Sequence, residues 1–420
     1  MKKPVRVYVL LTLLVIFFWR PVSTRAQSLP LPSGKSDIGH YRVEWTDTSR
    51  QEILGGEPSS RRIVADIWYP AEQTSQALVP YLDTTAIKRA LGERGLSSFL
   101  VDRGVALIRS GSIRTHAREN AHFNRHLKRA PVIFFSHGMG MITQLYTAQI
   151  EDLASHGYIV VALSHPYDAW LVSFSDGRQI IFETKQRKAA GSTELEHIAY
   201  ENQRIEWWAA DIRFALDRLF AINGAKPSAT TPIAGHMDLA RVGAMGHSSG
   251  GRAAARACQL DPRIKSCADQ DGVAMMQPFY LTADGRGMAQ TFLLFERVRN
   301  VPPDENDAAS LGMTLVALNM LVDSLRDSKK RALAATGGSF HVLLRFDSTS
   351  HMSFSDLPLL QAESAAKAAL AVQVLQTTCR YTREFFDKTL GNSASVLYDR
   401  HQASHYIDLV EYYPKKQGEK

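Results

Sequence analysis

Cysteine is scarce in this chain, with three residues in 420, at positions 258, 267 and 379. Three cysteines are too few for a disulfide scaffold, and their spacing matches no metal site, so no metal or cofactor is expected. Cys258 and Cys267 fall on a predicted helix and the strand after it. They form a disulfide if the protein is exported, and a pair of buried thiols is the alternative. The sequence also lacks internal repeats and long low-complexity tracts.

Long apolar runs are absent apart from one at the N-terminus. Basic residues at positions 2, 3 and 6 precede the apolar run Val7–Trp19, and small residues follow up to Ala26. This order predicts a secretory signal peptide over residues 1–26, and hence a secreted or periplasmic protein. An uncleaved membrane anchor is the alternative, although the run is shorter than the span of about 20 residues that a bilayer requires.

The chain has little net charge once this segment is set aside. Five of its seven net positive charges belong to residues 1–26, which leaves +2 for residues 27–420. Nucleic acid is therefore not an expected partner. A basic cluster over residues 103–129 predicts a solvated helix face, with peripheral contact to anionic lipid head groups as the alternative. The oligomeric state does not follow from the sequence.

Apolar strands alternate with helical segments along residues 27–420, which predicts one domain with a mostly parallel sheet covered on both faces. Segments at about 83–129 and 297–339 are expected to be insertions that form a helical cap. Residues Trp170–Phe182 predict a hairpin, and Gln361–Leu390 predicts a closing helix. The predicted strands are Tyr41–Trp45, Ile63–Tyr69, Val132–Ser136, Tyr158–Ser164, 241–247, Ile264–Gln270, Thr291–Glu296 and Phe340–Phe346.

A G-x-S-x-G pattern ends the fifth of these strands, as Gly246-His247-Ser248-Ser249-Gly250. A serine on a tight turn between strand and helix is the nucleophile elbow of the α/β-hydrolase fold, and the flanking glycines let the chain pass close to itself. The pattern predicts an α/β-hydrolase with Ser248 as its nucleophile. A glycine-rich loop between a strand and a helix is the alternative interpretation.

A nucleophilic serine needs a histidine that accepts its proton and an acid that orients the histidine. His351 follows a strand, at the sheet edge where catalytic loops lie, and is the predicted base. His341 begins the same strand and belongs at the opposite edge, and His401 and His405 lie in a polar tail. Asp271 and Glu296 end successive strands, and spacing alone does not decide which of them is the acid.

An oxyanion hole needs two backbone N–H groups that point at the developing negative charge. Ser249 supplies one, at the N-terminus of the helix after the elbow. The second is expected from the loop His137-Gly138-Met139-Gly140, where the amide of Met139 is the natural donor. His137 is an anchoring core residue in the alternative interpretation.

Five segments carry a resemblance to a known family, namely Phe135–Gly140, Asp152–Val160, Gly246–Gly251, Asp269–Gly272 and Ser350–Phe354. Together they resemble the plasma-type platelet-activating factor acetylhydrolases, or group VII phospholipases, as an exported member of that family. The resemblance covers roughly residues 60–390, and it implies that Asp271 is the acid, beside Ser248, His351 and Met139. Ser249 stands where an aromatic residue is common in the family.

The resemblance implies a carboxylic-ester hydrolase that cleaves short acyl esters, including short or oxidised sn-2 chains of phospholipids. A polyester- or cutinase-like hydrolase, or a general carboxylesterase, would share the same machinery. A non-catalytic lipid-binding protein would need a disrupted triad, which the sequence does not show. Apolar residues near the predicted cap either fill a core or line a narrow acyl pocket. These residues are Met275, Met276, Phe279, Tyr280, Leu311, Met313, Leu315 and Met320.

Overall fold

A large twisted sheet organises the chain. The structure is a computed structural model, and it describes residues 28–55, 58–92, 113–182, 194–228, 230–272, 287–297, 303–310, 313–336, 338–345, 349–391, 393–395, 398 and 407–414. The predicted signal peptide, His401 and His405 lie outside these ranges. Among the described helices, none has both the length and the apolar character needed to cross a bilayer.

The strands of the described ranges pair into one eleven-stranded sheet and a separate two-stranded hairpin. The order in the large sheet is β13-β12-β11-β10-β9-β5-β6-β2-β1-β4-β3, and β7 and β8 form the hairpin. The strands are β1 (Asp37–Glu52), β2 (Ser59–Ala71), β3 (Leu78–Pro80), β4 (Arg114–Glu119), β5 (Ala130–Ser136), β6 (Ile159–Ser164), β7 (Leu171–Ser173), β8 (Gln179–Ile181), β9 (Met237–His247), β10 (Ile264–Gln270), β11 (Thr291–Arg297), β12 (Ser339–Leu344) and β13 (Ile407–Tyr413).

The centre of the sheet is parallel, from β6 through β5, β9, β10 and β11 to β12. Antiparallel strands flank it on both sides. Parallel strands end at the same edge, so the residues that follow β5, β9, β10 and β12 are brought together there. The predicted mostly parallel sheet is confirmed.

Helices cover both faces of this sheet. They are α1 (Thr84–Leu91), α2 (Thr147–Ser155), α3 (Glu194–Asn223), α4 (Ser249–Leu260), α5 (Glu305–Ser310), α6 (Leu315–Ala335), α7 (Leu357–Leu360) and α8 (Ala365–Thr389), with 3₁₀ turns at Thr143–Tyr146 and His351–Phe354. Alternate residues of β5 enter two separate cores. Phe135 packs in the core shared with α2 and α8, whereas Phe134 packs in the core shared with α3 and α4. This three-layer arrangement, with helices on both faces of the sheet, is the one that the alternation of strands and helices predicted.

The described parts of the two expected cap segments contain helices and one strand. Within 83–129, α1 is helical as expected, whereas β4 is not helical and adds a strand to the sheet beside β1. The described part of the basic cluster, residues 113–129, contains this strand and no helix, so the predicted helix face is wrong for these residues. Within 297–339, α6 connects the parallel strands β11 and β12, and its residue Leu333 is buried in a core. Residues 93–112, 298–302, 311–312 and 337 lie outside the described ranges.

The chain does not end with the helix predicted over Gln361–Leu390, which the structure describes as α8. The tail returns as β13, which pairs antiparallel with β12 at the edge of the sheet. The β-branched and aromatic residues of this strand lie among charged residues, so the sequence pattern of the tail indicates a polar segment and does not predict a strand. Cys258 on α4 and Cys267 on β10 form a disulfide, which decides between the two alternatives for that pair.

Candidate active site

Ser248 occupies the tight turn between β9 and α4. Its φ is +56°, a backbone conformation that costs energy for any residue other than glycine and is often found at functional sites. A Cβ atom on Gly250 would lie 2.1 Å from the carbonyl oxygen of Ser136, and one on Gly246 would lie 2.4 Å from the backbone of Gly250. These glycines therefore allow α4 to pass directly against β5 and β9, as the elbow pattern requires.

Three of the predicted site residues form a continuous hydrogen-bonded line. The Oγ of Ser248 lies 2.9 Å from Nε2 of His351. The Nδ1 of the same ring lies 2.7 Å from Oδ2 of Asp271. A carboxylate accepts the Nδ1 proton, so Nε2 is left free to accept the serine proton. The side chain of Asp271 is buried, while that of His351 is one-third exposed.

Glu296, the other candidate acid, belongs to a different cluster. Its carboxylate lies 2.9 Å from Nε2 of His341 and 2.7 Å from Nζ of Lys329 on α6. Burial alone would raise the pKa of Glu296, but the hydrogen bond from His341 and the Lys329 charge lower the pKa to about 2. The geometry therefore leaves Asp271 as the acid in contact with His351.

Arg297 is a member of the site that the sequence reasoning missed. It ends β11, beside β10, and its Nε lies 3.3 Å from the same Asp271 oxygen that contacts His351. Asp271 itself has a φ of +56°, and its amide donates to the carbonyl of Phe295 in β11. The pairing of β10 with β11 could have suggested Arg297, because adjacent parallel strands end side by side.

The loop after β5 is held by contacts to its main chain. Nδ1 of His137 lies 2.8 Å from the carbonyl oxygen of Gly138, which can only accept, so this nitrogen carries a proton. In a trans peptide the C=O and the next N–H point in opposite directions. The contact of His137 thus fixes the direction of the Met139 amide. Burial lowers the pKa of His137 to about 3, so the ring is neutral and holds only that proton.

A second serine–histidine–aspartate line lies beneath this loop. Ser136 Oγ lies 3.1 Å from Nε2 of His165, and Nδ1 of His165 lies 2.8 Å from Oδ2 of Asp211. All three residues are fully buried, with no exposed surface. No substrate reaches Ser136 there, so Ser136 does not compete with Ser248 as a nucleophile. The line of hydrogen bonds instead supports the loop. Its sequence signal is weak, since the three residues lie far apart along the chain.

The other predicted donor, Ser249, is the first residue of α4. The unpaired N–H groups and the dipole at a helix N-terminus favour negative charge at this point. His247, on the other side of the nucleophile, is buried and points away from Ser248 into the protein. In the described ranges, no cluster of three or more histidine, cysteine or acidic side chains is arranged to hold a metal ion.

The chain is similar to known proteins that are named as acetylhydrolases or esterases. A model of the family described as platelet-activating factor acetylhydrolase, isoform II, matches residues 27–373. A probable 1-alkyl-2-acetylglycerophosphocholine esterase from Arthroderma benhamiae is 24% identical over 275 residues, which are 63% of this chain and 64% of that protein. A platelet-activating factor acetylhydrolase from Canis lupus familiaris is 25% identical over 257 residues, 58% of this chain and 54% of that protein.

The matched region thus spans between about half and two thirds of these relatives' own length. Among solved structures, a ferulic acid esterase from Streptomyces cinnamoneus superimposes with a TM-score of 0.67 at 23% identity. The superposition covers 92% of this chain and 99% of that one. At this identity the likeness shows the α/β-hydrolase fold alone.

Proposed function

Because the chain belongs to the platelet-activating factor acetylhydrolase, isoform II, family, we propose that it is a serine hydrolase of carboxylic esters. The observation that carries the proposal is the hydrogen-bonded line from Ser248 through His351 to Asp271 at the carboxyl edge of the sheet. Serine, histidine and aspartate in this order form the machinery of acyl transfer.

The proposed reaction has two steps, the acylation of Ser248 and its deacylation by water. Ser248 Oγ attacks the acyl carbon while Nε2 of His351 takes its proton, and the carbonyl oxygen becomes an oxyanion held by the amides of Met139 and Ser249. The intermediate collapses as His351 returns the proton to the departing alcohol, which leaves an acyl group on Ser248. Water then attacks the acyl-enzyme through the same steps and releases the acid.

Asp271 stabilises the imidazolium that forms on His351 and holds the ring in the productive tautomer. Arg297 shares its oxygen and keeps the carboxylate in place. The Met139 amide has no acceptor among the described residues, which leaves it available for the oxyanion. Neither part of this chemistry requires a metal ion or another cofactor.

The substrate that we propose is a short acyl ester, including short or oxidised sn-2 chains of phospholipids. The names of the relatives, which include an acetylglycerophosphocholine esterase, support a short acyl group.

The nucleophile is tested by replacement and by labelling. Ser248→Ala should lower ester hydrolysis by several orders of magnitude and leave the fold intact, because the three groups act as a unit. A serine-directed phosphonate followed by peptide mapping should label Ser248 in the wild-type protein. The matched control is Ser136→Ala, which should still be labelled at Ser248, because the hydroxyl of Ser136 is buried and out of reach of the phosphonate. Labelling of Ser136 or Ser249 would contradict the assignment.

We also propose that the protein is exported and that residues 1–26 are removed. The disulfide between Cys258 and Cys267 supports this, because such bonds persist in oxidising compartments. Expression of the full chain in a host with a secretory pathway should yield extracellular or periplasmic protein whose N-terminus is Gln27. A protein retained in the membrane with its N-terminus intact would contradict cleavage.

A further inference from the structure

Two buried side chains connect the oxyanion loop to the proposed base. The N–H of Gly138 donates to the hydroxyl of Tyr146 over 3.0 Å. That hydroxyl lies 2.9 Å from Nδ1 of His247, and Nε2 of His247 lies 2.8 Å from the carbonyl oxygen of His351. Tyr146 and His247 are both fully buried, so water does not compete for these bonds.

Each proton in this connection has a single assignment. The carbonyl of His351 can only accept, so Nε2 of His247 carries a proton. Burial, with the nearby His351 ring, holds the pKa of His247 well below its usual range, so the ring is neutral and Nδ1 has a free lone pair. The hydroxyl of Tyr146 therefore donates to His247 and accepts from Gly138. With the His247 ring neutral, no other arrangement satisfies all three bonds.

The local sequence fits this connection closely. A Cβ atom on Gly138 would lie 3.1 Å from Nδ1 of His247 and 3.2 Å from the hydroxyl of Tyr146, tighter than an ordinary contact. Glycine at position 138 thus leaves room for the hydrogen bond between Tyr146 and His247. The ring centroids of His247 and His351 lie 4.5 Å apart, so the elbow residue also packs directly on the proposed base.

We propose that Tyr146 and His247 are positioning residues, which hold the Gly138–Met139 loop and the main chain of His351 in a fixed relation. The oxyanion donor and the base sit on different loops, after β5 and β12, and each must be placed accurately for acyl transfer. The hydrogen bonds through Tyr146 and His247 make the two placements depend on each other. This inference rests on the proposed esterase function.

The first test is Tyr146→Phe, which removes one hydroxyl and keeps the ring. We expect kcat to fall about 10- to 100-fold, the effect of a small misplacement of reacting groups, while KM changes less than twofold. The rate of labelling by the phosphonate should fall by a similar factor. The matched control is Tyr69→Phe, because the hydroxyl of Tyr69 is also buried and bonds only to the carbonyl of Ala121 in the described structure. Its kcat should be unchanged.

The second test compares two replacements of His247. Glutamine keeps a donor for the carbonyl of His351, so His247→Gln should retain kcat within about fivefold of wild type. His247→Leu cannot donate and should lose at least as much as Tyr146→Phe. The double variant Tyr146→Phe/His247→Leu should lose no more than His247→Leu alone, because the residues act as one unit.

The results distinguish this inference from the function on which it rests. A folded Tyr146→Phe protein with kcat within twofold of wild type would overturn the inference. If Tyr146→Phe does not fold, equal kcat values for His247→Gln and His247→Leu would overturn it instead. Wild-type protein that hydrolyses no ester and is not labelled at Ser248 would refute the proposed function, and the positioning role with it.

Discussion

Two carboxylates lie at the ends of neighbouring strands of the sheet, but they have different partners. Asp271 contacts His351 and Glu296 contacts His341 and Lys329. Asp271→Asn should preserve the geometry but favour the wrong tautomer of His351, a loss in kcat of about 10⁴ in the serine protease type case. Glu296→Gln should affect kcat far less, because its cluster does not touch Ser248. Steady-state kinetics of the two purified variants check this.

Circular dichroism of both variants serves as the control, because a loss of fold would mimic a loss of catalysis. If Glu296→Gln shows the large loss and Asp271→Asn the small one, then Asp271 is not the working acid.

The residues predicted from the sequence are those with a local signal. The elbow fixes Ser248, and the position of His351 after a strand limits the choice of base, but Asp271 needed the family resemblance to be preferred over Glu296. Tyr146 and Arg297 were not predicted. Their contacts depend on how strands and turns far apart in sequence meet, and neither residue type is unusual enough to be noticed by itself.

A buried charge network joins β2, α3 and the residue that follows β6. Asp211 on α3 accepts from Arg61 on β2 over 2.8 Å and from His165 over 2.8 Å. Burial alone would raise the pKa of Asp211, but the charge of Arg61 and the hydrogen bond from His165 hold the pKa far below its usual value. The ionised carboxylate therefore stabilises the fold above the unfolded-state pKa of about 4, and the contribution is lost as the pH falls below it.

Asp211→Asn should destabilise the protein by about 3–5 kcal/mol at pH 7, because Arg61 remains buried with an incomplete set of partners. The difference between variant and wild type should shrink as the pH falls below about 4. Urea unfolding at pH 7 and pH 3 measures both effects. The control is Asp176→Asn, whose exposed carboxylate pairs with Arg62 at the surface and should matter little. A difference between Asp211→Asn and wild type that stays constant with pH would contradict the linkage.

The central elements were predictable from the sequence, because buried parallel strands are apolar throughout. Ile264–Gln270 is described with the predicted bounds, and the hairpin of β7 and β8 lies within the predicted Trp170–Phe182. The edges were less predictable. β4 and β13 are edge-region strands with many charged residues, and their pairing is fixed by neighbouring strands rather than by an alternating pattern of their own.

The segments expected to cap the sheet bear on the size of the substrate. The described residues of the two expected cap segments contribute the strand β4 and the helices α1, α5 and α6. Met320 on α6 is exposed, with 69% of its surface accessible. Met320 therefore does not line an enclosed pocket in the described structure. Of the other residues expected near the acyl chain, Met275, Met276, Phe279, Tyr280 and Leu311 lie outside the described ranges.

The dependence of kcat/KM on the length of the acyl chain measures how much room the site leaves for the acyl group. Each methylene that fits an apolar site adds up to about 0.8 kcal/mol, whereas each one that overfills a packed site costs about 1 to 3 kcal/mol. A small site should therefore give a maximum of kcat/KM at short chains and a steep fall beyond it. We expect p-nitrophenyl esters of two to four carbons to be cleaved faster than those of twelve to sixteen. Phospholipids with short or oxidised sn-2 chains should likewise be cleaved with a higher kcat/KM than their long-chain counterparts.

Ser248→Ala, assayed on the same series, gives the uncatalysed background. A maximum at twelve carbons or more would reject the short-acyl proposal in favour of a general lipase, while the Ser248 assignment would stand.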